Sequence, residues 1–291
     1  MIFLLLSIVC STVIAIVFKV QNKLNIKLFP VIVINYFAAT FLGFLLNKTQ
    51  FSFLELVSSD WIYSALGIGA LLIVGFYLIG YSTQKIGIAI TTISNKMSVV
   101  VPMLFSMLFF TEVFTKIKIV GIFIALLSVF FSVYRKRTKE FDLKFIYLPV
   151  LLFITIGAID SIVKLAQSTL TEAQIPIFTA ISFGISGLTG VAVSFFNDTK
   201  FRDFFNYKIV LTGLLIGTAN FGSMYFMIYA LNHSGLDSSV VFGVNNIGVI
   251  SLSILFAFFI FKEKLKFVNW VGVLLSIFAI ILLTGFYKLI I

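Results

Sequence analysis

The sequence predicts an all-α integral membrane protein: ten transmembrane helices arranged as an inverted repeat of two five-helix halves. Three observations predict it. First, 60% of the 291 residues are hydrophobic and only 11% are charged, where a soluble domain carries about 25% charged residues. Second, the apolar residues fall in continuous runs, and the mean hydropathy is +1.15. Such runs match the ~20 apolar residues that a helix needs to cross a bilayer, and their continuity argues against the alternating pattern of a β-barrel. Third, two of the runs end alike. Leu108-Phe109-Phe110-Thr111-Glu112-Val113-Phe114 closes one, and Phe259-Ile260-Phe261-Lys262-Glu263-Lys264-Leu265 closes another. In each, a glycine (Gly121, Gly272) follows the glutamate nine residues later.

The spans are read at 2–18, 29–46, 61–81, 88–110, 117–134, 145–166, 175–196, 208–230, 239–261 and 267–287. The first lacks the basic n-region and small-residue cleavage pattern of a signal peptide, so it is kept as a span. It carries the lone cysteine, Cys10, which excludes an intrachain disulfide. Pro30 and Pro176 open the second and seventh spans, where a missing N–H does no harm. Trp61 and Trp270 fall at the starts of the third and tenth, as interfacial anchors should. The fourth span holds Asn95, Lys96 and Pro102. Several loops are very short, so neighbouring helices are antiparallel, and no soluble domain fits anywhere.

The charged break Arg135-Lys136-Arg137-Thr138-Lys139-Glu140-Phe141-Asp142 divides the chain into five helices and five helices. Residues 1–137 form the first repeat and 138–291 the second. Other echoes agree. Lys19 and Lys164 end the first helix of each half, and Tyr81 and Tyr229 each stand six residues before a glycine, Gly87 or Gly235. Five helices per half is an odd number. The second half therefore enters the membrane with the opposite orientation, giving a pseudo-two-fold axis in the membrane plane.

The net charge of +10 is distributed over loops. Fifteen Lys/Arg follow helices 1, 3, 5, 7 and 9, and four (Lys48, Lys116, Lys118, Lys288) lie on the other face. By the positive-inside rule the richer face is cytoplasmic and both termini are outside. No basic domain lies outside the membrane, so nucleic acid is not a partner. The expected location is the cell (inner or plasma) membrane.

At its paired glutamates the chain resembles the EamA-like ten-helix members of the drug/metabolite transporter superfamily, whose repeats each end the fourth helix on a Gly-Glu-(Arg/Lys)-Leu-like motif. The copies here are Thr111-Glu112-Val113-Phe114 and Lys262-Glu263-Lys264-Leu265. The glutamates match, the preceding glycine is absent from both, and the basic residue is kept only at Lys264. Length, helix count and duplication extend the resemblance over essentially the whole chain. It implies an inverted-repeat carrier with a central cavity lined by helices 3, 4, 8 and 9. Many members of that family place both termini in the cytoplasm, opposite to the charge count here.

Polar residues inside spans are the candidate site. Lys96 lies eight residues into helix 4, roughly 12 Å deep at ~1.5 Å per residue. A charge near the bilayer centre costs about 2.5–3.5 kcal/mol even on the mild insertion scale, so it normally faces a bundle interior or cavity. There it could receive an anionic substrate group; the structural alternative is a lysine that snorkels or pairs internally. Asn95-Lys96 also resembles the Asn-Lys pair of some nucleotide-sugar carriers of the same superfamily. Asp160 is the acidic residue well inside a span, some 9 Å from Lys96 in depth. Its simpler reading is a local partner for Lys164, one turn away; the sharper one is a coupling-proton carrier that alternates with substrate at Lys96.

Asn245 and Asn246 in helix 9 correspond approximately to Asn95-Lys96. Amides suit a polar substrate as well as helix–helix bonding. The same alternatives hold for Asn220 and Asn35. Tyr77 and Tyr81 share one helix face, as do Tyr225 and Tyr229; they either line the cavity or pack. Pro102 removes a backbone hydrogen bond beside Lys96. Glu112 and Glu263 are expected to cap or pair near helix ends.

The expected activity is secondary transport of a small polar metabolite (an amino acid, organic acid or phosphorylated compound) by alternating access. The alternative is a flippase for a lipid-linked intermediate. No catalytic or metal-binding motif appears: the single His233 is read as a solvated loop residue, so an enzyme is not expected. No cofactor is implied. The partners are a small-molecule substrate and the bilayer, and a monomer suffices because the repeat supplies its own pseudo-symmetry.

Overall fold

The computed structural model describes residues 1–50, 52–86, 88–110, 112, 115–133, 145–196, 201–260, 262 and 266–284. The described residues are helical, joined by short turns. In order they are α1 (Ile2–Lys23), α2 (Leu28–Leu46), α3 (Phe53–Val57), α4 (Ile62–Ile86), α5 (Ile88–Met97), α6 (Val100–Phe109), α7 (Lys116–Val133), α8 (Tyr147–Thr169), α9 (Ile175–Ser194), α10 (Tyr207–His233), α11 (Ser238–Phe259) and α12 (Phe267–Thr284). Among the described residues nine helices are long and apolar enough to cross a membrane. The nine do not include α7, so the reading of the fifth predicted span as membrane-crossing rests on the sequence alone. The charged break at 135–142, with the repeat boundary at 137/138, and Glu263 lie outside the described residues.

Two local differences from the expected pattern have clear causes. The fourth predicted span is broken into α5 and α6. A short helix, α3, stands in the loop before the third span. It is set by a capping box: Ser52 Oγ accepts the Glu55 N–H at 3.2 Å, and Glu55 accepts the Ser52 N–H at 2.8 Å. The S-x-x-E spacing carried that signal.

The chain forms two compact units, each drawn from both ends of the sequence: 1–73 with 165–234, and 74–164 with 235–291. In the first unit α10 packs on α1 and α2, and α2 packs on α9. Val31, Ile209 and Ile216 form a core against Ile14, Val17 and Phe18. The α2–α10 approach depends on Gly217, where a Cβ would stand 2.5 Å from the Asn35 carbonyl oxygen. Small residues permit such contacts between membrane helices. Trp61 is fully buried, edge-on to Phe178 at 5.9 Å. It is a packing residue within this unit, where the interfacial reading predicted an anchor.

In the second unit α12 packs along α7, and α11 contacts α6, α7 and α12. Val129, Ile250, Ile254 and Val273 form its core, with Met97 against it. Gly157 of α8 meets the Val101 side chain, which brings α8 against the start of α6.

Candidate functional site

The candidate site is built around the α5–α6 break in the second unit. Pro102 has no N–H, so the Ser98 carbonyl four residues back loses its normal helical donor. The Val101 N–H takes that carbonyl instead, at 2.9 Å, and residues 98–99 form a turn. Ser98 Oγ donates to the Asn95 carbonyl at 2.5 Å. The Lys96 carbonyl accepts from Asn246 Nδ2 at 2.8 Å, so a side chain from α11 supplies a donor at the point where the helix stops. Backbone groups at membrane depth must find such partners, because lipid offers none. This fixes one role of Asn246 that the sequence left open: it binds another helix.

Lys96 and Asp160 are both half-buried, and each is the charge that acts on the other. Among the described residues they do not close into a direct ion pair. The local pairing expected between Asp160 and Lys164 is corrected here. Lys164 lies with its ammonium 4.4 Å from the centre of the Phe110 ring, and the charge acting on it is Glu112. Two further acceptors are left without donors: the Oδ1 atoms of Asn245 and Asn246 are buried and unpartnered. An acceptor left so ordinarily costs about 1–3 kcal/mol.

Tyr77 and Tyr81 stack at 5.9 Å with an interplanar angle of 9°, Tyr77 being 61% exposed. Lys85 continues the stack, 5.6 Å from the Tyr81 ring and 5.5 Å from Phe145. This aromatic–cation ladder also belongs to the second unit.

The remaining predicted residues belong to the first unit. Asn220 Nδ2 donates to Asn35 Oδ1 at 2.9 Å, and Asn35 Nδ2 donates to the Ile32 carbonyl at 3.0 Å. The pair ties α10 to α2. Tyr225 stacks on Phe221 at 5.3 Å and lies 4.8 Å from Tyr229. His233 is the last residue of α10, with Nε2 2.8 Å from Glu172 Oε1 and its ring on Tyr229 at 5.9 Å. The loop reading is corrected, because α10 runs on past residue 230.

Sequence reasoning assigned Glu112 only a general capping role; the structure shows its targets. The carboxylate accepts the Ser238 N–H at 2.7 Å, the Ser239 N–H at 3.2 Å and the Ser239 hydroxyl. It caps the N-terminus of α11 from a position beyond the end of α6. Nothing in the local sequence of either segment names the other, so only the duplication of the motif marked Glu112 out.

Together the apolar helices, their length and their packing define an all-helical multi-pass membrane protein. No family model matches the chain. It is similar to an uncharacterized protein of Haemophilus influenzae, 26% identical over 295 residues that cover 99% of each chain. A crystal structure of a protein 11% identical in sequence matches 99% of this chain and 97% of that chain with a TM-score of 0.75. That likeness shows a shared fold and carries no statement about activity.

Proposed function

We propose that the protein is a secondary transporter of a small polar metabolite, working by alternating access in the cell membrane as a ten-helix inverted repeat. The observation that carries this reading is the polar constellation at the α5–α6 break. A lysine and an aspartate within membrane-spanning helices act on each other without a direct bond, beside two buried amide oxygens that lack donors. Ionisable residues inside membrane helices mark substrate and ion pathways far more often than packing. A structural pair would close to contact, whereas an open one leaves Lys96 for an anionic group of the substrate.

The repeat reading has support of its own. Asn246 and Lys96 occupy approximately equivalent places in the two halves, and they bond to each other. Equivalent residues meet where a two-fold axis passes. The duplicated glutamates, the resemblance to EamA-like carriers and the Lys/Arg bias complete the reading, with both termini outside.

The test is thermal stability of the purified protein, and of Lys96→Ala, against anionic, zwitterionic and cationic metabolites. A ligand at 100 times its Kd adds about 2.7 kcal/mol if it binds only the folded state. The reading expects an anion or zwitterion to stabilise wild type and to have no effect on folded Lys96→Ala. An unchanged response in that variant would remove Lys96 from the site.

A further inference from the structure

The N-terminus of α11 in the second unit is attended by two carboxylates, and the one that caps it is the more distant in sequence. Asp237 is its N-cap residue by backbone, with φ −59° and ψ 146°. Its carbonyl accepts the Val240 and Val241 N–H groups at 2.9 and 3.0 Å. An aspartate there ordinarily turns its side chain onto the free N–H groups of the first turn. Asp237 makes no such bond and is paired instead with Lys118 of α7. The amides of Ser238 and Ser239 are held by Glu112, which enters from the end of α6.

We propose that this is an exchangeable cap: a latch between the end of α6 and the start of α11 that opens when Asp237 swings from Lys118 onto the amide that Glu112 releases. A helix N-terminus stripped of its cap leaves N–H groups unsatisfied. Opening a latch with one carboxylate would therefore be costly. Here a second carboxylate already sits at the N-cap position with the backbone geometry to replace the first. In the open arrangement Asp237 takes over the cap that Glu112 gives up and leaves its pairing with Lys118. Lys164, on which Glu112 already acts, remains beside the released carboxylate. In a transporter such a latch is a gate element at one membrane face; that role rests on the transport reading, while the exchange itself does not.

A cycle of unfolding midpoints on the purified full-length protein tests it, with Glu112→Ala made in wild-type, Asp237→Ala and Asp237→Asn backgrounds. The exchange expects Glu112→Ala to lower the midpoint by less than about 2 °C while Asp237 is present, and by at least about twice as much once Asp237 is alanine. Asparagine is also a good N-cap, so the Asp237→Asn background should behave as wild type. Failure of only the Glu112→Ala/Asp237→Ala pair to fold agrees with the same outcome. Equal shifts in all three backgrounds would overturn the proposal, as would an Asp237→Asn background that behaves like Asp237→Ala, or failure of Glu112→Ala to fold with Asp237 in place. None of these readouts needs a substrate, so the latch and the transport reading can fail separately.

Discussion

The two compact units differ in what their intramembrane amides do. In the first, several amides and hydroxyls pair between helices, while Gln21 Oε1 and Trp61 Nε1 are buried without partners. Asn35 and Asn220 bond to each other, Gln167 bonds to Asn232 at 2.7 Å, and Ser11 bonds to Ser223 at 2.6 Å. In the second, a helix is interrupted, a lysine and an aspartate stay apart, and two amide oxygens have no donor. Satisfied networks rigidify a membrane bundle, whereas unsatisfied groups weigh against its stability. On the transport reading proposed above, the candidate lysine and aspartate belong to the second unit.

Four sets of substitutions can break or sharpen that contrast. The largest effect is expected at the tightest contact of the first unit. Gly217→Val drives a side chain into the Asn35 carbonyl, only 2.5 Å from the first added carbon. It should cost about 3 kcal/mol or prevent folding, since backbone cannot yield as a side chain can. In the second unit Gly75→Ala meets the tip of Ile156 at 3.1 Å and should cost less than about 1 kcal/mol. Denaturant unfolding of both variants in detergent measures the two losses; equal losses would show that the neighbours of Gly217 and Gly75 yield alike.

Next is Lys96→Met. Made together with Asp160→Asn, so that no carboxylate is left without its opposing charge, it removes ionised groups from membrane helices and should raise the unfolding midpoint of the unliganded protein. It should also abolish the roughly 2.7 kcal/mol conferred by saturating ligand. A lower midpoint without ligand would instead make the two residues structural.

A smaller effect separates paired from unpaired amides. Asn220→Leu leaves Asn35 Oδ1 without its donor and should cost about 1 kcal/mol, the usual scale for hydrogen bonds between membrane helices. Adding Asn35→Leu should cost less than the sum of the two single changes. Asn245→Leu removes an oxygen that has no partner and should be neutral or stabilising. If Asn245→Leu costs as much as Asn220→Leu, the two units do not differ in this respect.

The smallest change in stability is expected from Pro102→Ala, below about 1 kcal/mol. It restores an N–H to the Ser98 carbonyl and lets α5 and α6 join. The measurable result is amide-exchange protection appearing across residues 98–102, with weaker ligand stabilisation. Protection that does not change would show that the break is held by its neighbours and not by Pro102.

Much of this was readable from the chain. The described helices match the predicted spans to within a few residues, apart from α1 and α4, which run on to Lys23 and Ile86, and the fourth span, which divides; α7, the fifth, is not among the nine long and apolar enough to cross a membrane. Pro102 announced that division, because proline's lost donor is a local fact. The donor that Asn246 gives to the Lys96 carbonyl was not readable, since an amide in a helix gives no sign of which neighbour it faces. Asp160 shows the limit most clearly. Sequence proximity favoured Lys164 four residues away, yet the charge acting on Asp160 is Lys96, sixty-four residues away. Trp61 taught the same: a tryptophan at a helix start reads as an anchor until the neighbouring helix covers it.

By itself, then, the sequence determined the class of the protein, its span positions, the duplicated glutamate and the presence of a charge at membrane depth. Each follows from composition and spacing along a single segment, where the cost of placing residues in lipid is summed locally. Only the tertiary structure decided which polar groups are spent on one another and which are left open. That choice depends on how each helix is rotated and how closely it approaches its neighbours, and those are set by packing across the fold.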